Sequence, residues 1–254
     1  MQQSLILPPD WLHRHLVETD STMNRIREIP PESIPQGGGV LVSAGHQTAG
    51  HGQKGTHWEA DVDANLLFSF AIRPQGIAAA CQFSLSEALA LAVAESLATL
   101  VGECTVKWPN DVYWHNRKIC GMLLEHTIAG ENIVCTRVGV GINVNQQSFS
   151  SNAPNPVSVF QIKGQMADCS ALLGAVISRF TKYLHALQQG AYDALHANYM
   201  QHLYRRDGHH AFRDAEGHTF DASIESISPL GVLTLAQRDG RRRSFAFKEV
   251  AFCL

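Results

Sequence analysis

A chain of 254 residues, 45% of them hydrophobic and 17% charged, is long and apolar enough to bury a sizeable core. A formal charge of −3 excludes a nucleic-acid coat and a polybasic membrane anchor. Six cysteines without a Cys-x-x-Cys pair exclude a zinc knuckle or a redox motif, no apolar run approaches a membrane span, and the opening MQQSLILPPDW lacks a signal peptide's basic start, so a cytoplasm with reduced thiols is expected.

Asp20-Ser21-Thr22 before MNRIREI predicts a helix capped by Ser21 and ended by Pro30 and Pro31. VLVSA reads as a buried strand, the stretch from Gly45 to Gly55 as a loop too glycine-rich for a regular element, and residues 64–72 as a second strand. A long helix is expected over 84–101, with Ser84 and Glu87 as a capping box and Leu85, Ala88, Leu89, Ala92, Val93 and Leu97 at helical spacing. Short strands follow at TVKW, VYWH and KICGMLLEH. NIVCTRVGVGINVN continues the sheet with weak alternation, as if buried on both faces.

Ser148 to Pro156 is an open loop; a helix then runs from a cap at Asp168 to about Gln189, stopped by Gly190, and another spans 191–204. After Gly208 four short β-type runs, HAFRD, HTFDASIESI, GVLTLAQ and RSFAFKEV, are separated by turn residues. The division expected is therefore a mixed α/β domain over 1–207, one sheet backed by helices, and a small β-barrel over 208–254. Arg241-Arg242-Arg243 reads as a solvated hairpin edge.

Three segments carry candidate chemistry. Gly50-His51-Gly52-Gln53-Lys54-Gly55 matches G-x-G-x-x-G, but it leads into a strand rather than a helix, and no Walker lysine follows. What remains is a loop whose backbone N–H groups can approach an anion beside Lys54, or a flexible hairpin. In Lys107-Trp108-Pro109-Asn110-Asp111 the proline presents a cation, an amide and a carboxylate at a fixed turn, a set suited to holding phosphate charge and a metal. For five residues alone an Asn-Asp turn is the simpler reading. Lys118, in Arg117-Lys118-Ile119-Cys120-Gly121, could equally be a solvated lysine at a strand entry.

In this order and spacing, with Glu18-Thr19-Asp20-Ser21-Thr22, Gln47 to Gly52, Trp58, Asn65-Leu66, Lys107 to Glu125 and Val138 to Asn145, the segments resemble the biotin–protein ligase family. The resemblance implies a class II aminoacyl-tRNA-synthetase-like catalytic domain and an SH3-like C-terminal module. It implies that Ser21, Thr22 and Gln47 hydrogen-bond biotin, with Gly50, His51 and Gly121 lining its site, and that Lys118 meets its carboxylate. Gly52, Gln53, Lys54, Trp58, Asn110 and Asn143 would contact ATP or the adenylate, Lys107 would steady the transferring phosphate, and Asp111 would hold Mg²⁺.

ATP and biotin are the implied substrates, and the acceptor is a lysine of a biotin carboxyl carrier protein. A homodimer is left open. About 15 residues before the first motif leave no room for the DNA-binding helix-turn-helix that some members carry. A lipoate- or octanoate-handling relative of the same fold and a non-catalytic biotin or adenylate binder are the alternatives. Two departures stand out: His51 occupies the usual place of an arginine, which predicts a looser hold on the adenylate, and Met23 that of an asparagine.

Overall fold

The computed structural model describes residues 5–50, 52, 58–150 and 155–253. Seven strands, β1 (Trp11–Thr19), β2 (Gly39–Gln47), β3 (Leu66–Ile72), β4 (Thr105–Lys107), β5 (Asp111–Trp114), β6 (Arg117–Ala129) and β7 (Asn132–Ile142), form one sheet in the order β1-β2-β3-β7-β6-β5-β4. Only β1 and β2 pair in parallel. Alternation in β3 sorts the two faces. Phe68 and Phe70 join a core with α2 (Phe83–Val101) and α4 (Cys169–Gln188), whereas Ala71 packs with Ile26 of α1 (Thr22–Arg27), Val42 and Cys135. With both faces covered, every residue of β3 is buried.

The helix α2 is apolar and long enough to pass for a membrane span, but α4 and α5 (Tyr192–Gln201) pack against it and Leu85, Leu89, Ala92 and Val93 are wholly buried. An all-round apolar helix is here a core helix. Its expected capping box is absent. The helix starts at Phe83 after a 3₁₀ turn, Ser84 Oγ donates to the Cys81 carbonyl (2.8 Å), and Glu87 is buried against His196 Nδ1 (2.7 Å). A capping box does form at α3 (Val159–Lys163), between Ser158 and Gln161. The Asp168 cap of α4 accepts from the backbone N–H of Ser170 and Ala171, as its sequence predicts.

Other expectations need revision. Ser21 stands at the cap position of α1, but its side chain makes no capping bond; Gln47 Oε1 takes the Thr22 N–H instead. That helix ends at Arg27, ahead of the prolines. Gly45 to Gln47 belong to β2, and β1, which pattern alone passes over because most of its side chains are exposed, pairs along the sheet edge. In β7 both faces are covered only from Cys135 onward.

The C-terminal region is a five-stranded antiparallel sheet, ordered β11-β10-β9-β8-β12, of β8 (His210–Asp214), β9 (Thr219–Ile227), β10 (Leu233–Gln237), β11 (Arg242–Phe245) and β12 (Val250–Phe252). Among the described residues no pairing of β11 with β12 closes it into the expected barrel. The last β-type run is two strands on opposite edges. A turn in which Glu249 accepts from the Ala246 N–H, with Lys248 at φ 72°, divides them. β11 is an edge strand, as read for the arginine run, but Arg243 turns to the buried Asp214 at 2.9 Å.

Candidate active site

Register alone builds the floor of the site. Lys107 pairs with Asp111, Asp111 with Gly121, Gly121 with Gly141, and Gly141 with Leu67. Paired residues of an antiparallel sheet share a face, so these side chains form one transverse row, with about 14 Å from Lys107 to Gly141 at about 4.8 Å per strand. The next row on that face contains Ser69, Gly139 and Leu123.

Over the glycines lie two side chains. The indole of Trp58 rests on Gly141 and Gly121: a Cβ added to Gly141 would come within 2.4 Å of it, and one on Gly121 within 2.9 Å. Met23 covers Gly139 in the same way, its Cγ 2.7 Å from an added Cβ. Only glycine leaves a groove deep enough for a flat ring to lie directly on the strands. The indole N–H of Trp58 is buried and has no hydrogen-bond partner among the described residues.

At one end of the groove, α1 presents a polar cluster. Thr22 Oγ1 is hydrogen-bonded to Gln47 Oε1 (3.0 Å) and to Ser69 Oγ (2.7 Å), and Ser21 and Thr22 are both buried. Asp20 organises this end, accepting from the Ser21 N–H and the Asn24 amide. Those hydrogen bonds, the Asn24 one foremost, hold its carboxyl well below the usual range. Gly50 lies against Gln47, and the backbone N–H of Trp58 donates to the Gly50 carbonyl at 3.1 Å, pinning the loop's two ends together. Gly52 is partly buried, whereas His51, Gln53 and Lys54, and with them the expectations placed on these residues, lie outside the described residues.

At the other end are the charges. Lys118 Nζ lies 2.7 Å from Asp111 Oδ1 and 5.7 Å from the Trp58 ring centroid. Lys107 Nζ donates to Tyr113 Oη at 3.0 Å, and burial, opposed by the nearby Asp111, lowers its pKa. Tyr113 was not singled out by any motif, although its place two residues beyond Asp111 on a strand puts it near the same face.

Asn110 and Asn143 are engaged in the fold. The Asn110 amide donates to the Met122 carbonyl, and Asn143, buried, donates to the Val157 carbonyl at 3.2 Å. Asn110 also lines a cleft of about 210 Å³ with Phe83, Pro109, Met122, Leu230 and Phe247, to which Thr22, Gln47 and Trp58 contribute nothing. The groove and charged row, rather than this cleft, combine an apolar floor, polar ring partners and converging cations. Such a site can hold a flat ring, meet its carboxylate and neutralise a phosphate.

Residues 17–143 match the model of the biotin/lipoate A/B protein ligase family. The chain is 33% identical over 174 residues to a biotin–[acetyl-CoA-carboxylase] ligase of Paracoccus denitrificans, covering 66% of this chain and 71% of the relative. It is 25% identical over 247 residues to a bifunctional ligase/repressor of Bacillus spizizenii, covering 94% and 75%. Among solved structures, biotin protein ligase from Aquifex aeolicus in complex with biotin and ATP superposes with a TM-score of 0.76 at 23% identity, over 94% of this chain and 97% of that one. The expected mixed sheet backed by helices, followed by a small antiparallel β module, is thereby shown.

Proposed function

The chain belongs to the biotin/lipoate A/B protein ligase family, and from that premise we propose that it activates biotin with ATP and transfers it to a lysine of a biotin carboxyl carrier protein. The observation that carries the reading is the single row in which the glycine groove runs into the Asp111–Lys118 pair and Lys107. That row supports reading the groove as a ring site next to a phosphate site.

In this reading the bicyclic ring takes the floor of Gly121 and Gly141, from which the Trp58 indole must first swing aside, and meets Thr22 and Gln47, while Lys118 holds its carboxylate. The carboxylate attacks the α-phosphorus of ATP, a P–O bond forms, and pyrophosphate leaves. Lys107 and Lys118 offset charge that grows on the phosphoryl oxygens. Asp111 fits a magnesium ion as its one carboxylate, since that ion takes one or two carboxylates and fills its shell with substrate phosphates and water. When bound, Mg²⁺ would share the phosphate charge.

The acceptor amine then attacks the acyl carbon, loses its proton as the amide forms, and AMP leaves. Between the steps Trp58, moved off the glycine floor to cover the bound adenylate, would keep water from the mixed anhydride. Residues 1–207 would carry this chemistry and 208–254 would support it. Cytoplasmic residence belongs to the same reading and is supported by six free cysteines.

The test is incubation with ATP, Mg²⁺, biotin and an acceptor domain, with lipoate as a parallel substrate. Biotin label should pass to the acceptor, and lipoate should neither replace it nor compete. Lys118→Ala should cut pyrophosphate release by about two orders of magnitude or more, the scale of a lost electrostatic donor. Its melting temperature should barely change, because a partly exposed ion pair contributes only about 0–1 kcal/mol. Biotin binding without any label transfer would make the protein a binder instead.

A further inference from the structure

Lys107 does not point freely into the row it shares with Asp111. Its ammonium donates to Tyr113 Oη at 3.0 Å and lies 4.9 Å from the Tyr113 ring centroid and 5.5 Å from that of Phe252. Phe252 belongs to β12, the edge strand of the C-terminal sheet, and is held there by Phe212 at 4.9 Å and Tyr204 at 5.9 Å. Arg205 donates to the Cys253 carbonyl at 2.6 Å, tying the strand to the segment after α5. Four other groups act on the ammonium: Asp111 and Tyr204 favour its charge, Lys118 and Arg205 oppose it. An ammonium this desolvated gains from aromatic faces what it lacks in water, and four bonds of side-chain freedom are removed with it.

We infer that Phe252 and Tyr113 are positioning residues for Lys107, so that the last strand of the C-terminal sheet completes the phosphate-handling end of the site. The inference rests on the proposed role of Lys107 in adenylate formation. It assigns the C-terminal sheet a defined task in the first half-reaction, one that involves neither the ring groove nor the acceptor.

Pyrophosphate release by the full chain, with ATP, Mg²⁺ and biotin and no acceptor, provides the readout. Phe252→Leu, which keeps the bulk and loses the ring, should lower kcat about 5- to 30-fold while KM for biotin stays constant. Phe252→Tyr should restore most of that loss. In a Lys107→Gln background, Phe252→Leu should have no further effect, because the residue acts through the ammonium. Should Phe252→Leu melt below the assay temperature, Tyr113→Phe, which deletes a single hydroxyl, takes its place in the same cycle. Wild-type turnover in folded Phe252→Leu, or an equal loss in both backgrounds, overturns the inference alone. Full turnover in Lys107→Gln overturns the role of Lys107 and the inference with it.

Discussion

Gly121, Gly139 and Gly141 all have ordinary backbone angles, so it is close approach and not conformation that asks for glycine at these positions. They differ in what lies above. A methyl at 141 meets a rigid indole at 2.4 Å, whereas a methyl at 139 meets the flexible thioether of Met23, which can give way. Gly141→Ala should therefore weaken biotin binding about tenfold, within the 1–3 kcal/mol range for overpacking, and Gly139→Ala clearly less. Titration calorimetry with biotin would check the order, and equal affinities would count against a groove at 141. Motif order already placed Thr22, Gln47, Trp58, Lys118 and Asp111 on the candidate roster. It did not foresee Tyr113 or Phe252, whose proximity to Lys107 depends on how strands far apart in the chain are packed.

Among the elements, α2 departs furthest from its local reading. Glu87, three residues after Ser84, has the spacing of a capping partner, but the α2–α5 contact buries it beside His196 and Tyr199. Burial pushes its carboxyl above the ordinary glutamate range, against the His196 hydrogen bond and charge. The folded chain thus holds this proton more tightly than the unfolded one. The stability it contributes is complete below the ordinary value of about 4.3 and is lost as pH rises through the raised one. Glu87→Gln keeps an acceptor for His196 and removes the loss. Its melting temperature should match wild type near pH 4 and exceed it once the pH has passed the raised value. A constant difference across that span would show that the carboxyl does not titrate there.

For the whole molecule the junction between the two sheets matters most. Trp108, in the same turn as Asn110 and Asp111, donates its indole N–H to the Gly231 carbonyl at 3.0 Å, and Phe247 packs on Trp108 and Phe83 at 5.5 and 6.0 Å. The Phe83 N–H is bonded to the Pro229 carbonyl, and one apolar core runs through both sheets. The tryptophan of KWPND therefore fastens the C-terminal sheet to the turn that presents the charged row. Truncation near Asp207 would uncover this surface, so a point variant is the better probe. Phe247→Ala should cost about 1–2 kcal/mol, less than the 3–5 for a fully buried phenylalanine since Phe247 is 42% exposed. Calorimetry should show one cooperative transition moving down as a whole. Two transitions, with only the smaller one shifted, would mean that the sheets unfold independently.

What the sequence by itself determined was local: α4 with its Asp168 cap and Gly190 stop, the strands around the motifs, and the order of segments that identifies the family. Helical period, cap chemistry and turn residues act over a few neighbours, so they can be read without the rest of the chain. Only the tertiary structure decided that Gly141, Gly121, Asp111 and Lys107 align across four strands, that Glu87 faces His196 instead of a helix end, and that RSFAFKEV splits between opposite sheet edges. Each of those depends on strand register and on which faces are buried together. A shift of one residue turns every side chain of a strand to the other face, and the burial that forbids the shift comes from partners far away in the chain, as Phe180 is from Phe70.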